Sequence, residues 1–135
     1  MRKILLMWIF TMFLLSVNFC SANYYDDNSD YIYIDTTGSG GYRTYLYRPS
    51  VHGEKYNDPY YYIEGKLLSV GGKKQISESW QKIILLFDMR NNVTLESDYH
   101  GGWNKENISG TFGSYYRKRA DAMFRVIFGK NFYGY

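Results

Sequence analysis

The hydrophobic period of this sequence changes once along the chain, and that change restricts the possible folds more than any other feature. Between residues 31 and 99, apolar and polar side chains alternate, which is typical of strands that bury one face. Farther on, apolar side chains recur at helical spacing: Tyr116, Ala120, Met123, Phe124 and Ile127. Because such a helix can cover the apolar face of a sheet, the sequence predicts a two-layer α+β fold, with four or five antiparallel strands packed by one C-terminal helix.

Five segments are predicted to be strands: residues 31–34, 42–47, 60–70, 75–87 and 93–99. Residues 83–87 are apolar on both faces, as in a central strand that is covered on both sides. A glycine-rich stretch at 36–41 predicts a hairpin turn between the first two strands. Pro49 is expected to end the second strand, since proline has no N–H to donate to a neighbouring strand. Residues 51–58 then form a polar connection, and residues 100–113 form a loop.

Three local expectations can be checked against the structure. Thr94, Glu96 and Asp98 are expected to face water on the fifth strand, opposite the apolar positions of that segment. The hydroxyl of Ser114 is expected to cap the helix N-terminus. Gly129 is expected to end the helix in the left-handed conformation that glycine tolerates.

The first 22 residues are typical of a signal peptide. Arg2 and Lys3 precede an apolar stretch at 4–15 that is too short to span a bilayer, and Ala22 provides a small residue for cleavage before Asn23. The predicted organisation is a signal peptide at 1–22, a flexible acidic leader at 23–30 and a single α+β domain at 31–135. The chain is therefore expected outside the cytoplasm, as a periplasmic, cell-surface or secreted protein, with membrane contact only through the signal peptide before cleavage.

Two alternatives to cleavage stay open. Lipid attachment at Cys20 is disfavoured because Asn18 and Phe19, which precede it, are not small. An uncleaved anchor is disfavoured because the apolar stretch is short. N-terminal sequencing that begins at Asn23 would exclude both.

Cleavage after Ala22 would also remove the chain's single cysteine and leave 14 basic and 13 acidic residues, a net charge of +1. Without cysteine, disulfides, thiolate zinc sites and thiol nucleophiles are excluded. The near-neutral charge argues against nucleic acid as a partner, because phosphate binding needs a basic surface. Asn92 and Asn107 lie in glycosylation sequons that matter only in a eukaryotic host, and the short signal without disulfides favours a bacterial source.

No pattern in the chain predicts catalysis. The only histidines, His52 and His100, lie near Glu54 and Asp98, but they lack the spacing of a metal site and read as exposed loop residues. No G-x-S-x-G motif is present, and the glycine stretches lack the ending of a phosphate-binding loop. The sequence therefore predicts no catalytic residue, no metal ligand and no cofactor, and a small hydrolase is the third-ranked function.

Tyrosine is the most unusual feature of the composition, with 16 residues, all after residue 22. Tyr60 and Tyr62 share a strand face, and together with Tyr45 and Tyr47 on a neighbouring strand they are predicted to form an exposed aromatic patch. Tyrosine suits binding surfaces because it offers a large contact area and a polar tip. The alternative is an aromatic sheet face without a ligand, since tyrosine is a good strand residue.

The densest basic cluster consists of Arg117, Lys118 and Arg119. It is a second candidate binding site, suited to an acidic polysaccharide, a phospholipid surface or a protein. The alternative interpretation is the solvated back of an amphipathic helix.

Short motifs occur in a recognisable order: YLYRPSV at 45–51, a strand ending at 83–87, Gly-Gly-Trp at 101–103, and ADAMF with GKNFYG at 120–124 and 129–134. This layout resembles small exported bacterial proteins that are similar to the surface-adhesin protein E family, although Tyr47 stands where that group often has aspartate. The resemblance implies an exported antiparallel sheet packed on a C-terminal helix. It also implies a protein partner, either a host extracellular protein or a second copy of the chain. No functional residue transfers, because the matching positions look like fold determinants.

The expected function is therefore a small exported, non-enzymatic surface or periplasmic protein that mediates protein–protein contact or adhesion through a tyrosine-rich sheet face. A carbohydrate or cell-wall binding module is the alternative, since the same rings can stack on sugars.

Overall fold

The computed structural model describes residues 20–37, 41–71 and 77–134. Its elements in chain order are α1 (Cys20–Asp27), β1 (Tyr31–Thr37), β2 (Tyr42–Asn57), β3 (Tyr60–Gly71), β4 (Ser77–Asp88), β5 (Val93–Ser97), β6 (Trp103–Lys105) and α2 (Gly113–Phe128). Most of the predicted signal peptide, and the glycine tip of the first hairpin at 38–40, lie outside the described residues.

The strands form one antiparallel sheet in which each strand pairs with the next along the chain, in the order β1 to β6. This arrangement confirms the α+β class, with an antiparallel sheet packed by one C-terminal helix. Within the described residues, the sheet has six strands rather than the expected four or five. The additional strand is β6, whose three residues are too few to show a period in the sequence.

The prediction that Pro49 ends the second strand is wrong, because β2 continues to Asn57 through the stretch expected to be a polar connection. Its pairing with β3 is irregular between Tyr47 and His52, so Pro49 lies where the ladder is interrupted. The hydroxyl of Ser50 accepts the backbone N–H of Lys66 at 2.8 Å and donates to the Tyr47 carbonyl at 2.6 Å. These bonds replace the missing ladder bonds and carry the strand past the proline.

The core lies between α2 and the sheet face that it covers, called here the inner face. Ile63 and Leu67 of β3 alternate onto this face, as the sequence predicts, and Met123 and Phe124 of α2 pack against it. The other face is called the outer face. The remaining buried members of this core share the same apolar character: Ile34, Leu46, Ile83, Leu85, Phe87, Ala120 and Ala122.

The two ends of α2 differ in how well they were predicted. Gly129 ends the helix in the left-handed conformation, at φ 71°, and its N–H donates to the Arg125 carbonyl at 2.9 Å, which confirms the prediction. The prediction that Ser114 caps the helix is wrong, because the helix already begins at Gly113 and Phe112 provides no side-chain cap. Gly113 is buried against the backbone of Ile108, where a Cβ would collide. That close approach sets the start of the helix.

The orientation predicted for β5 is wrong for Thr94 and Glu96, whereas Asp98, just beyond the strand, is exposed as expected. Thr94 is fully buried, and its hydroxyl donates to the Glu106 carboxylate and bonds the Tyr133 hydroxyl at 2.8 Å. Glu96, on the same face, pairs with Arg119 of α2. Polar partners contributed by distant segments allow Thr94 to be buried and Glu96 to face the helix.

Arg119 is the centre of a buried ion pair between α2 and the sheet. Its side chain is 4% exposed, and it contacts Glu96 at 2.8 Å and the carboxylate of Glu106, which is 2% exposed. The Tyr115 and Tyr116 rings lie 5.3 and 5.2 Å from the guanidinium carbon. Burial alone would lower the pKa of Arg119, but the two carboxylates raise it overall, so the guanidinium is charged.

Part of the outer face is covered by α1, which lies partly within the predicted leader at 23–30. Residues 23–27 are helical, and Tyr25 packs beside Tyr45, Leu68 and Val70 and is only 8% exposed. Asp26 accepts the Tyr45 hydroxyl at 3.0 Å and pairs with Arg43 at 2.5 Å. Cleavage between Ala22 and Asn23 stays a prediction.

Substitution of Arg119 by methionine should lower the free energy of unfolding by about 3–5 kcal/mol, because Glu106 is left buried without its counter-charge. The exposed helix residue Arg125 is the matched control, and Arg125→Met should cost less than about 0.5 kcal/mol. Urea denaturation measures both. Equal, small losses for the two variants would contradict a structural role for the ion pair.

The docking of α1 should weaken in alkali. Burial, reinforced by the hydrogen bond to Asp26, raises the pKa of Tyr45 to about 12 from 10.0. The stability from the protonated hydroxyl is therefore fully present below about pH 10 and lost as the pH rises toward about 12. Denaturation of Tyr45→Phe should show a shallower loss over this window than the unsubstituted protein, and parallel curves would contradict the assignment.

Candidate functional site on the outer face

A groove of about 510 Å³ lies on the part of the outer face that α1 leaves open. It is called here the aromatic groove. Three rings and two lysines line it, together with Gln81, which lies between Trp80 and Lys82 on β4: Tyr31, Tyr47, Trp80, Lys66, Lys82 and Gln81.

The strand register builds this groove. Tyr31 of β1 pairs with Tyr47 of β2, Tyr47 pairs with Lys66 of β3, and Lys66 pairs with Lys82 of β4. Directly paired residues of antiparallel strands project from the same face. Four strands therefore place one row of side chains across the outer face, and Trp80, two residues before Lys82, borders that row.

The three rings support one another. The Tyr31 and Tyr47 centroids lie 5.2 Å apart, and the Trp80 ring meets Tyr47 at 5.7 Å with an interplanar angle of 82°. Edge-to-face contacts of this kind stabilise aromatic pairs beyond their buried area. Trp80 is nevertheless 49% exposed, so the groove holds a positioned indole with roughly half its surface open to a ligand.

The groove is positively charged at one side. The ammonium of Lys82 contacts Glu64 at 3.0 Å, and Glu64 also contacts the ring of His52 at 2.6 Å. Burial alone would raise the pKa of Glu64, but Lys82 and His52 lower it overall. No carboxylate among the described residues pairs with Lys66, so its charge is available at the groove.

The predicted tyrosine patch is not one surface. Tyr45 is 1% exposed and covered by α1, whereas Tyr47 lines the groove. Tyr62 lies four residues before Lys66 on β3, roughly 13 Å away. There it borders a separate hollow of about 300 Å³ with His52, and Tyr60 is half-buried at the beginning of the strand.

The predicted basic cluster is divided by the helix. The Arg117 guanidinium donates to the Ile108 carbonyl at 3.1 Å, and Lys118 pairs with Asp35 at 3.3 Å. Arg119 is buried in its ion pair. Successive helix residues point about 100° apart. These three cations therefore do not share one exposed surface.

The histidines show no shared site. His52 is exposed and pairs with Glu64 of β3 rather than with Glu54. His100 lies exposed in the turn after β5, and its backbone N–H donates to Asp98 at 2.8 Å. Within residues 20–37, 41–71 and 77–134, no group of three histidine, cysteine or carboxylate side chains is arranged to hold a metal ion.

Sequence reasoning missed every groove residue except Tyr47, including two of its three rings, Tyr31 and Trp80. Both lie in segments that were predicted to be strands. Their proximity depends on the register of β1 to β4. Two strands lie between Tyr31 and Trp80 in the sheet, yet their ring centroids are 6.5 Å apart. The alternation of side chains along β4 places Trp80 on the face opposite the apolar core positions, which predicts that Trp80 is exposed. The alternation does not identify the residues that lie beside Trp80.

Comparison of the chain with protein-family models, curated proteins and solved structures finds no match. Among the described helices, none has the length and apolarity needed to cross a bilayer. The functional inference therefore rests on the chemistry of the outer face.

The Glu64 pairing should contribute stability that acid removes. Because the folded pKa of Glu64 is lowered, its contribution is present above its ordinary pKa of 4.5 and is lost as the pH falls through the folded value. Glu64→Gln should cost less than about 1 kcal/mol near neutral pH, and this cost should shrink toward zero in acid. Exposed Glu54 is the matched control, and a Glu64→Gln cost unchanged by pH would contradict the prediction.

Proposed function

We propose that this chain is a non-enzymatic binding protein that contacts a protein partner through the aromatic groove. The observation that carries the proposal is Trp80, half-exposed and held by Tyr47 and Tyr31 beside the available charge of Lys66. Because the first 22 residues are typical of a signal peptide, we infer that this contact forms outside the cytoplasm, in the periplasm or at the cell surface.

The physical basis is that tryptophan and tyrosine contribute most of the binding energy at many protein interfaces. A ring already fixed by its neighbours loses little conformational freedom on binding, which lowers the entropic cost of association. A lysine beside the rings favours a partner that has a carboxylate or another acceptor at the matching position. The resemblance to the surface-adhesin protein E family is compatible with such a contact, and adhesion to a host protein stays a hypothesis.

A carbohydrate-binding module is the second candidate. The observation that favours it is the open surface of Trp80 beside the ammonium groups of Lys66 and Lys82. Binding sites for small ligands combine an apolar wall with a few placed polar groups, and a sugar ring presents both an apolar face and hydroxyls.

Trp80→Ala should weaken binding to the partner about 30-fold, the cost of losing an interface anchor worth about 2 kcal/mol. Binding to a panel of purified extracellular-matrix proteins can be followed by biolayer interferometry, with an oligosaccharide array in parallel. Trp103→Ala is the matched control, because Trp103 is also exposed but lies outside the groove. It should bind as the unsubstituted protein does.

The outcomes of this experiment separate the candidates. A Trp80-dependent signal on matrix proteins supports the proposal, and a Trp80-dependent signal only on sugars supports the second candidate. If Tyr60→Ala with Tyr62→Ala abolishes binding while Trp80→Ala does not, the contact lies at the separate hollow and the groove proposal is wrong.

A further inference from the structure

One edge of β4 is free over much of its length. β3 pairs with β4 from Ser77 to Asp88, but β5 pairs only with residues 85–88. No described strand lies beside the other edge of residues 77–84. Residues 77–82 are also exposed on both faces. The edge of residues 77–82 that faces away from β3 is called here the free edge.

A side-chain contact shows which backbone groups the free edge presents. The Tyr99 hydroxyl donates to the carbonyl of Lys82 from the side of β5. In an antiparallel strand, the N–H and C=O of one residue point to the same side, and alternate residues point to opposite sides. Trp80 and Glu78 therefore direct their N–H and C=O groups to the free edge, whereas Ser79 and Gln81 direct theirs to β3.

The side chains beside this edge form an ordered pattern. Glu78, Trp80 and Lys82 share the outer face, because they alternate along β4. An acid and a base thus flank the half-exposed indole. One carboxylate oxygen of Glu78 accepts the Tyr25 hydroxyl, so the second oxygen can accept a bond from a ligand. Lys82 has N–H donors for a ligand besides the one that contacts Glu64.

We propose that an extended segment of the partner protein adds to the free edge as an antiparallel strand. This inference rests on the proposed function and specifies the mode of contact. Because the partner strand runs opposite to β4, its first outer-face side chain meets that of Lys82, its next meets Trp80 and its last meets Glu78. Main-chain pairing is confined to residues 77–81, because Tyr99 occupies the Lys82 carbonyl. Charge complementarity then defines the segment as acid–x–apolar–x–base.

An extended segment fits the space better than a second copy of this chain does. The free edge is bounded at Lys82 by Tyr99 and beyond it by β5. Residues 77–81 of β4 span roughly 17 Å, which is enough to pair with a short strand. A folded sheet placed there would bring its own neighbouring strands against β5 and β6, whereas a single segment can diverge from the edge. Strand addition supplies affinity through main-chain hydrogen bonds and specificity through alternate side chains.

The experiment uses a fluorescently labelled synthetic peptide, Thr-Glu-Thr-Phe-Thr-Arg-Thr, and its reversed form, Thr-Arg-Thr-Phe-Thr-Glu-Thr. Fluorescence anisotropy should show the first peptide binding at least about fivefold more tightly, since the reversed order opposes like charges in the antiparallel register. Equal binding of the two peptides, or binding of neither, would overturn the proposed segment.

A matched pair of variants tests the backbone contact. Glu78→Pro removes the N–H that faces the free edge without removing a bond to β3, and Glu78→Ala removes the same side chain but keeps the N–H. Glu78→Pro should bind the peptide about tenfold more weakly than Glu78→Ala, the loss expected for one main-chain hydrogen bond. Equal affinities would overturn strand addition.

Two further readouts separate this inference from others. If Glu78→Pro keeps full matrix-protein binding while Trp80→Ala loses it, strand addition is wrong and the groove proposal stands. If Trp80→Ala also binds normally, the proposed function itself fails. Sedimentation that shows a dimer of the unsubstituted protein and a monomer of Glu78→Pro would assign the edge to a second copy and overturn the proposed occupant.

Discussion

The packing of α2 on the inner face determines which surface of this protein is left for a ligand. Met123 and Phe124 close the apolar core over β3, and Arg119 connects the same helix to Glu96 and Glu106 through a buried ion pair. A helix held by both apolar and charged contacts keeps that face closed. The contact proposed here therefore lies on the outer face, where α1 covers only one end.

The local pattern of the sequence predicted those features that depend on near neighbours. The alternation of Ile63 and Leu67, the helical stripe and the Gly129 terminus each follow from the period or conformational preference of a few consecutive residues. The inward orientation of Thr94 and the burial of Arg119 do not, because their partners lie 12 and 23 residues away along the chain. The strand end predicted at Pro49 was wrong for a similar reason. The Ser50 hydroxyl replaces the ladder bonds there by accepting the backbone N–H of Lys66, which lies 16 residues away along the chain.

The candidate site shows the same division. Tyr47 was selected from its strand position and does line the groove. Tyr45 was selected by the same logic, but Tyr25 covers it from a segment expected to be flexible. Tyr31 and Trp80 become neighbours only once four strands adopt one register. Composition therefore indicates that this protein has many candidate contact residues, and only the pairing of strands shows which of them meet.

The central claim is that the partner contacts Trp80, and the indole N–H resonances test it directly. Residues 23–135 contain two tryptophans, Trp80 and Trp103, so a 1H–15N spectrum of that chain has two indole signals. Addition of a bound partner should shift or broaden the Trp80 signal and leave the Trp103 signal in place. A partner that binds while the Trp80 signal stays unchanged would contradict the account.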